Sequence, residues 1–313
     1  MAMINSVLGP LNTADLGFTL MHEHLLVGVP PGITQNYPEL LGDHFIERIV
    51  SQLDAAKQGG INTIIDATTF DMGRDVSVMV ESSRRSGINV IACTGWFYNP
   101  PRLTGNLAID QYAQLFVREI QEGIAGTGVK AGILKSAADF GGVTSGGEAI
   151  LRAVARAHLK TNTPIMLHSY APEQVGKQQL AILREEGVDM KRVKVDHSLE
   201  TTDVEYLTWL LEQGCYLGME RCPWINVSVQ SRVKTIKALI DAGWAHRLLP
   251  SHDYLAVKYN LELSPSLLEF IEKSNPYGFL YLNKVAVPML RDMGVPEATI
   301  TSLFVDNPRH FFE

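Results

Sequence analysis

The chain has 313 residues, 46% hydrophobic and 19% charged, with a formal charge of −7, which is a globular composition with material for a large core. The acidic balance argues against nucleic acid or an anionic membrane as a partner, and leaves a small-molecule substrate as the expectation. Cys93, Cys215 and Cys222 form no disulfide pattern, the opening M-A-M-I-N-S-V-L-G-P is no secretory signal, and no apolar run reaches spanning length, so a cytoplasmic protein is expected.

In chain order, short apolar runs predict strands at 17–24, 61–68, 88–95, 129–135, 164–168, 193–197, 215–220 and 248–253. Helical spacing predicts helices at 43–59, 75–86, 108–125, 148–161, 173–186, 202–213 and 231–242. A last helical region, 279–313, is interrupted by Pro288, Pro296 and Pro308. In the first helix Phe45, Ile46, Ile49, Val50 and Leu53 form one stripe, with Asp43 the expected N-cap. Gly59, Gly87, Gly126, Gly187, Gly214 and Gly243 stand where a left-handed residue would end each helix before the next strand. Alternating strands and helices imply parallel pairing through right-handed crossovers. A closed barrel and an open doubly wound sheet both fit, and a count of eight strands favours an α/β fold with a single (β/α)8 TIM barrel over 1–313. The long irregular connection at 254–278 is expected to be a substrate loop.

Several strands end in a residue that binds metals: His22 and His24 in H-E-H, Lys135, His168, His197 and Asp253. Strict alternation turns Glu23 away from His22 and His24, and groups Met166 with His168, Val195 with His197 and Ser251 with Asp253. Barrel enzymes do their chemistry at C-terminal strand ends, and imidazoles with a carboxylate suit Zn2+ or a similar divalent ion. A lone strand-end histidine is ordinarily a hydrogen-bonded structural residue; five strand ends sharing one geometry argue otherwise. Lys135 has two readings. The simpler is an ion pair with an acid across the barrel mouth. The other is an amine whose pKa is depressed by neighbouring cations and which reacts with CO2 to give a bridging carbamate.

At the same rim Trp96, Phe97 and Tyr98 read as a pocket wall, and Glu220 and Arg221 end the seventh strand. Tyr254, Leu255, Val257, Tyr259 and Leu261 read as an apolar lid. Asp66 is either a partner orienting a ligand imidazole or an ordinary buried acid. Cys222 is expected to be structural, and His44, His158, His246, His252 and His310 to be surface or packing residues. The glycine-rich stretches 126–132 and 141–148 fit neither a dinucleotide fingerprint nor a phosphate loop.

Read together, L-G-P-L-N-T-A-D-L-G-F-T-L-M-H-E-H, I-I-D-A-T, I-L-K-S-A-A-D, L-H-S, L-R-E-E-G-V-D, D-H-S and S-H-D-Y follow a known order. With N-P-Y-G-F, P-M-L-R-D-M-G-V-P and D-N-P-R-H-F-F, they resemble the phosphotriesterase family of the amidohydrolase superfamily, including its lactonases, over essentially the whole chain. The resemblance implies two divalent ions, with His22, His24 and Asp253 on the more buried one and His168 and His197 on the other. Lys135, carboxylated to N6-carboxylysine, would bridge both together with a hydroxide. Zn2+ is the expected metal, with Co2+, Mn2+ and Fe2+ as alternatives, and Asp253 the expected catalytic proton acceptor. D-H-S stands where many relatives carry G-H-L, and Glu220 with Arg221 stand where lactonase relatives carry an acid–arginine pair. The implied activity is a lactonase, on acyl-homoserine or other lactones, with promiscuous phosphotriesterase activity and Tyr98, Arg221, Trp96 and Tyr254 at the substrate. Alternatives are an aryldialkylphosphatase, a hydrolase of phosphorylated sugar lactones or N-acyl amides, and a non-catalytic ligand-binding barrel. A homodimer is expected from the relatives.

Overall fold

An antiparallel hairpin, β1 (Met3–Ser6) with β2 (Gly9–Asn12), opens the computed structural model, which describes residues 2–27, 31–100, 107–223, 226–258, 269 and 273–313. M-I-N-S and G-P-L-N are not apolar runs, so the pattern that marks the other strands passes over them. Eight strands follow where the apolar runs lie: β3 (Thr19–Val27), β4 (Thr63–Asp66), β5 (Asn89–Gly95), β6 (Ile133–Ala137), β7 (Ile165–His168), β8 (Val193–Val195), β9 (Tyr216–Met219) and β10 (Leu248–Pro250). After a single turn, α1 (Ile33–Asn36), the connecting helices are α2 (Phe45–Gln58), α3 (Val76–Ser86), α4 (Ile109–Gln121), α5 (Ser145–Thr161), α6 (Gly176–Glu185), α7 (Val204–Glu212) and α8 (Val229–Asp241).

Each strand from β3 to β10 pairs parallel with the next in chain order. The ring closes at residues 251–254: Asp253 N donates to His22 O at 3.1 Å, and His24 N donates to Tyr254 O at 2.9 Å. The chain then enters β11 (Leu255–Lys258), which continues parallel to β3, with Leu255 opposite His24. The fold is therefore a closed TIM barrel. The connection expected at 254–278 begins as this strand; residues 259–268 and 270–272, with Tyr259 and Leu261, lie outside the described residues.

The barrel wall divides the core in two. Met21, Ile65, Ile91, Cys93, Ile133, Met166, Tyr216 and Leu249 fill the interior, and Ile4, Leu16, Phe311 and Phe312 pack with them. A second, larger cluster lies between strands and helices, where α2 buries Ile49, Val50, Leu53 and Ala56 along the anticipated stripe. Two local expectations fail there. His44, in a left-handed conformation, precedes α2 in place of Asp43 as cap. Gly59 has φ −79°, and its lack of a side chain admits Leu280 instead. At the C-terminus Pro288 follows a π-helical turn, Leu282–Ala286, that runs directly into Val287–Asp292, and Pro296 precedes Glu297–Phe304 as its N-cap residue.

Candidate metal centre

Three departures from regular strand geometry deliver the polar residues. Leu20 faces the helices and Met21 the interior, yet a register shift between Leu20 and Glu23 turns His22 inward as well. In β8 the interior side belongs to Lys194 and Asp196, while Val195 packs outward. The anticipated pairing of Val195 with His197 is thus wrong: His197 reaches the centre because its φ of +60° breaks the alternation. Asp253 likewise stands at φ +59°. Lys135 and His168 follow plain alternation from the interior residues Ile133 and Met166.

All six expected side chains meet at the C-terminal mouth. Asp253 Oδ1 lies 3.3 Å from His24 Nε2 and 3.6 Å from His22 Nε2. His197 Nε2 faces His168 Nδ1 at 2.8 Å, and His197 Nδ1 lies 3.9 Å from Asp253 Oδ2. Lys135 Nζ is 3.2 Å from His22 Nε2. Burial, then Lys135, lowers His22 to about 3, and burial likewise lowers His168 and His197, so the imidazoles stay neutral with lone pairs available. Burial alone would raise Asp253, but His22, His24, His197 and Arg221 outweigh it and hold the carboxyl well below its ordinary value. Among the described residues two buried groups of mutually close donors result: His22, His24 and Asp253, and His22, His197 and Glu220. Neutral imidazoles around an ionised carboxylate are the donor chemistry a divalent cation needs.

The two lysines buried among the described residues differ. Lys194 Nζ lies 2.6 Å from Asp196 Oδ1 and 3.0 Å from Glu220 Oε1. No carboxylate among the described residues comes within ion-pair distance of Lys135, so the acid pair weighed for it is absent there. Burial, the largest influence, pushes its amine down towards the neutral form.

The residues that hold the candidate ligands were mostly missed in the sequence. Asp196 Oδ2 meets His22 Nδ1 at 2.8 Å, and Thr68 Oγ1 meets His24 Nδ1 at 2.8 Å. Burial would raise the Asp196 carboxyl, but Lys194 and His22 outweigh it and hold it at about 2; Glu220, buried beside Asp196, is pushed well above its ordinary value. Asp66 accepts from Thr68 N and Leu25 N, so it supports an imidazole through Thr68. Glu23 is fully buried and accepts from Ser251 Oγ, His252 N, His252 Nδ1 and Tyr254 N, all within 2.8 Å. His252 accepts from Leu282 N at 3.0 Å, so it is a buried packing residue, not a surface one. The signal available was an acid next to a strand-end histidine: Glu23 between His22 and His24, and Asp196 before His197.

The rim needs correction. Trp96 packs its ring edge-on against Tyr112 and Phe116 in the helical layer, because Cys93 and Ile91 occupy the interior side of β5 and even-numbered residues face outward. Phe97 is the site-side aromatic, 4.9 Å from the His168 ring, with Tyr98 beside it. Tyr254 also turns away: its hydroxyl donates to Gln52 of α2 and its ring packs on Phe279. Glu220 and Arg221 do not pair. Glu220 faces Lys194 and accepts from His197 N, while Arg221 donates to Asp253 Oδ2 at 3.0 Å and Glu200 Oε1 at 2.7 Å.

Barrels that gather imidazoles and a carboxylate at this end hold divalent cations there for hydrolysis, and the chain is of that class, a metal-dependent hydrolase. Residues 2–312 match the model of the Phosphotriesterase family, and the chain belongs to it. A phosphotriesterase homology protein of Mycobacterium tuberculosis is 37% identical, over 100% of this chain and 98% of its own. An aryldialkylphosphatase of Saccharolobus solfataricus is 34% identical over 96% of each chain. An N-acetyltaurine hydrolase of Xenopus tropicalis is 24% identical over 98% of this chain and 97% of its own. Among the described residues no helix is long and apolar enough to cross a membrane.

Proposed function

We propose that this hydrolase is a binuclear lactonase with side activity on aryl phosphotriesters. The observation that carries the reading is the convergence of His22, His24, His168, His197 and Asp253 around Lys135, which has no acid partner among the described residues. His22, His24 and Asp253 would hold one cation, His168 and His197 the other, and Lys135, carboxylated by CO2, would bridge them. Bound there, two divalent cations supply Lewis acidity towards a carbonyl or phosphoryl oxygen and make water acidic near neutral pH. Asp253 then accepts a proton from the attacking water and passes it to the leaving oxygen. Arg221 donates to the same carboxylate, adding to the histidines in keeping it ionised, and its guanidinium would attract a ring-opened carboxylate. Phe97, edge-on to His168, excludes solvent from that side.

The test is a substrate panel on metal-reconstituted protein: acyl-homoserine lactones, sugar lactones, N-acyl amines and aryl phosphotriesters. Chelation should abolish turnover, Zn2+, Co2+ or Mn2+ should restore it, and kcat/KM should be highest for a lactone. Turnover that survives metal stripping refutes the metal centre. A phosphotriester or N-acyl amine that outperforms every lactone refutes the lactone assignment alone.

A further inference from the structure

Beneath the proposed ligands, Lys194, Asp196 and Glu220 form a charged cluster with no solvent exposure. Lys194 also donates to Met21 O and to Glu220 Oε1, each at 3.0 Å, and its ammonium is ion-paired with Asp196 Oδ1 at 2.6 Å. Gly218 of β9 makes room for the cluster, since a Cβ there would collide with Glu220 Oε1 and Asp196 Oδ1. Burying three ionisable groups in a barrel interior is costly, and apolar residues of similar volume would stabilise the fold at least as well. The geometry shows what the cluster is aimed at. One Asp196 oxygen is held by Lys194, and the other lies 2.8 Å from His22 Nδ1.

An ionised carboxylate only accepts hydrogen bonds, so His22 must carry its proton on Nδ1. Its Nε2 lone pair is thereby turned towards Asp253 Oδ1, 3.6 Å away. His24 is different, because its partner Thr68 Oγ1 both donates and accepts and leaves the tautomer open. We propose that Asp196, clamped by Lys194, is a positioning residue that fixes the His22 tautomer and so sets the affinity of the cation position shared with His24 and Asp253. The proposal rests on the metal-binding reading above, and its first readout requires no metal.

Asp196→Asn is the discriminating variant. Lys194 claims the amide oxygen, which leaves the NH2 group facing His22 Nδ1. His22 must then accept at Nδ1 and carry its proton on Nε2, withdrawing the lone pair from the cation position. In metal-free protein labelled with 15N-histidine, the wild type should show His22 protonated on Nδ1 and the variant on Nε2. In a Zn2+ titration against a competing chelator, the variant should bind one of its two ions about 10–100-fold more weakly and the other normally. An unchanged tautomer, unchanged affinities, or equal weakening of both ions overturns the proposal. Lys194→Met with Asp196→Asn removes opposite charges together, covering the case in which the single variant does not fold. It frees the amide oxygen for His22 and should restore the Nδ1 proton and the affinity; a His22 still protonated on Nε2 also overturns the proposal. A wild type that takes up no Zn2+ refutes the metal-binding reading and leaves the tautomer result standing.

Discussion

Glu23→Gln exchanges one oxygen for an NH2 group at the seam where the barrel closes. Glu23 accepts three hydrogen bonds at Oε1, from Ser251 Oγ, His252 N and His252 Nδ1, and one at Oε2 from Tyr254 N. Glutamine does best by keeping its oxygen on the three donors, which sets its NH2 against Tyr254 N–H in a fully buried place. Losing that bond and leaving buried donors unsatisfied costs about 1–3 kcal/mol. The three remaining bonds, each worth about 1.5–3 kcal/mol, weaken by roughly half as charge assistance is lost, so the total is about 3–7 kcal/mol. Against a typical domain stability of about 5–15 kcal/mol that is a large fraction. Asp253 lies between two of the anchored residues and would lose its held conformation. Urea unfolding of metal-free protein should show the loss of stability, and chelator competition a weaker hold on Zn2+. Exposed Glu47→Gln serves as the control. A Glu23→Gln protein with wild-type unfolding free energy and Zn2+ affinity would refute the idea that this acid holds the seam and, through it, the ligand.

Two further outcomes follow from the corrected rim and the buried imidazoles. Trp96→Ala should cost about 3–5 kcal/mol in thermal or urea unfolding with KM unchanged, whereas Phe97→Ala should raise KM at little cost in stability; the reverse pattern would restore Trp96 to the pocket. Metal-stripped protein should lose stability between about pH 6.5 and about 3, because burial keeps His22 neutral when folded while the unfolded chain takes up the proton. The unfolded state binds more protons in that window, so stability rises with pH at about 1.4 kcal/mol per pH unit for this group. A flat urea midpoint from pH 4 to 6 would contradict it.

The strand and helix order was legible in the sequence because each element is a local pattern: alternation or an apolar run for strands, a stripe such as Ile49, Val50 and Leu53 for helices. The strand-end histidines, Lys135 and Asp253 were legible for the same reason, as polar residues finishing apolar runs. Tertiary structure decided how they meet. The register shift before Glu23 and the positive φ of His197 and Asp253 override the two-residue period that alternation relies on. Partners such as Asp196 with His22, 174 positions apart, and Ser251 with Glu23, 228 apart, leave no periodic trace. Alternation says which face of its own strand a side chain takes; only a closed barrel determines which distant atom waits there.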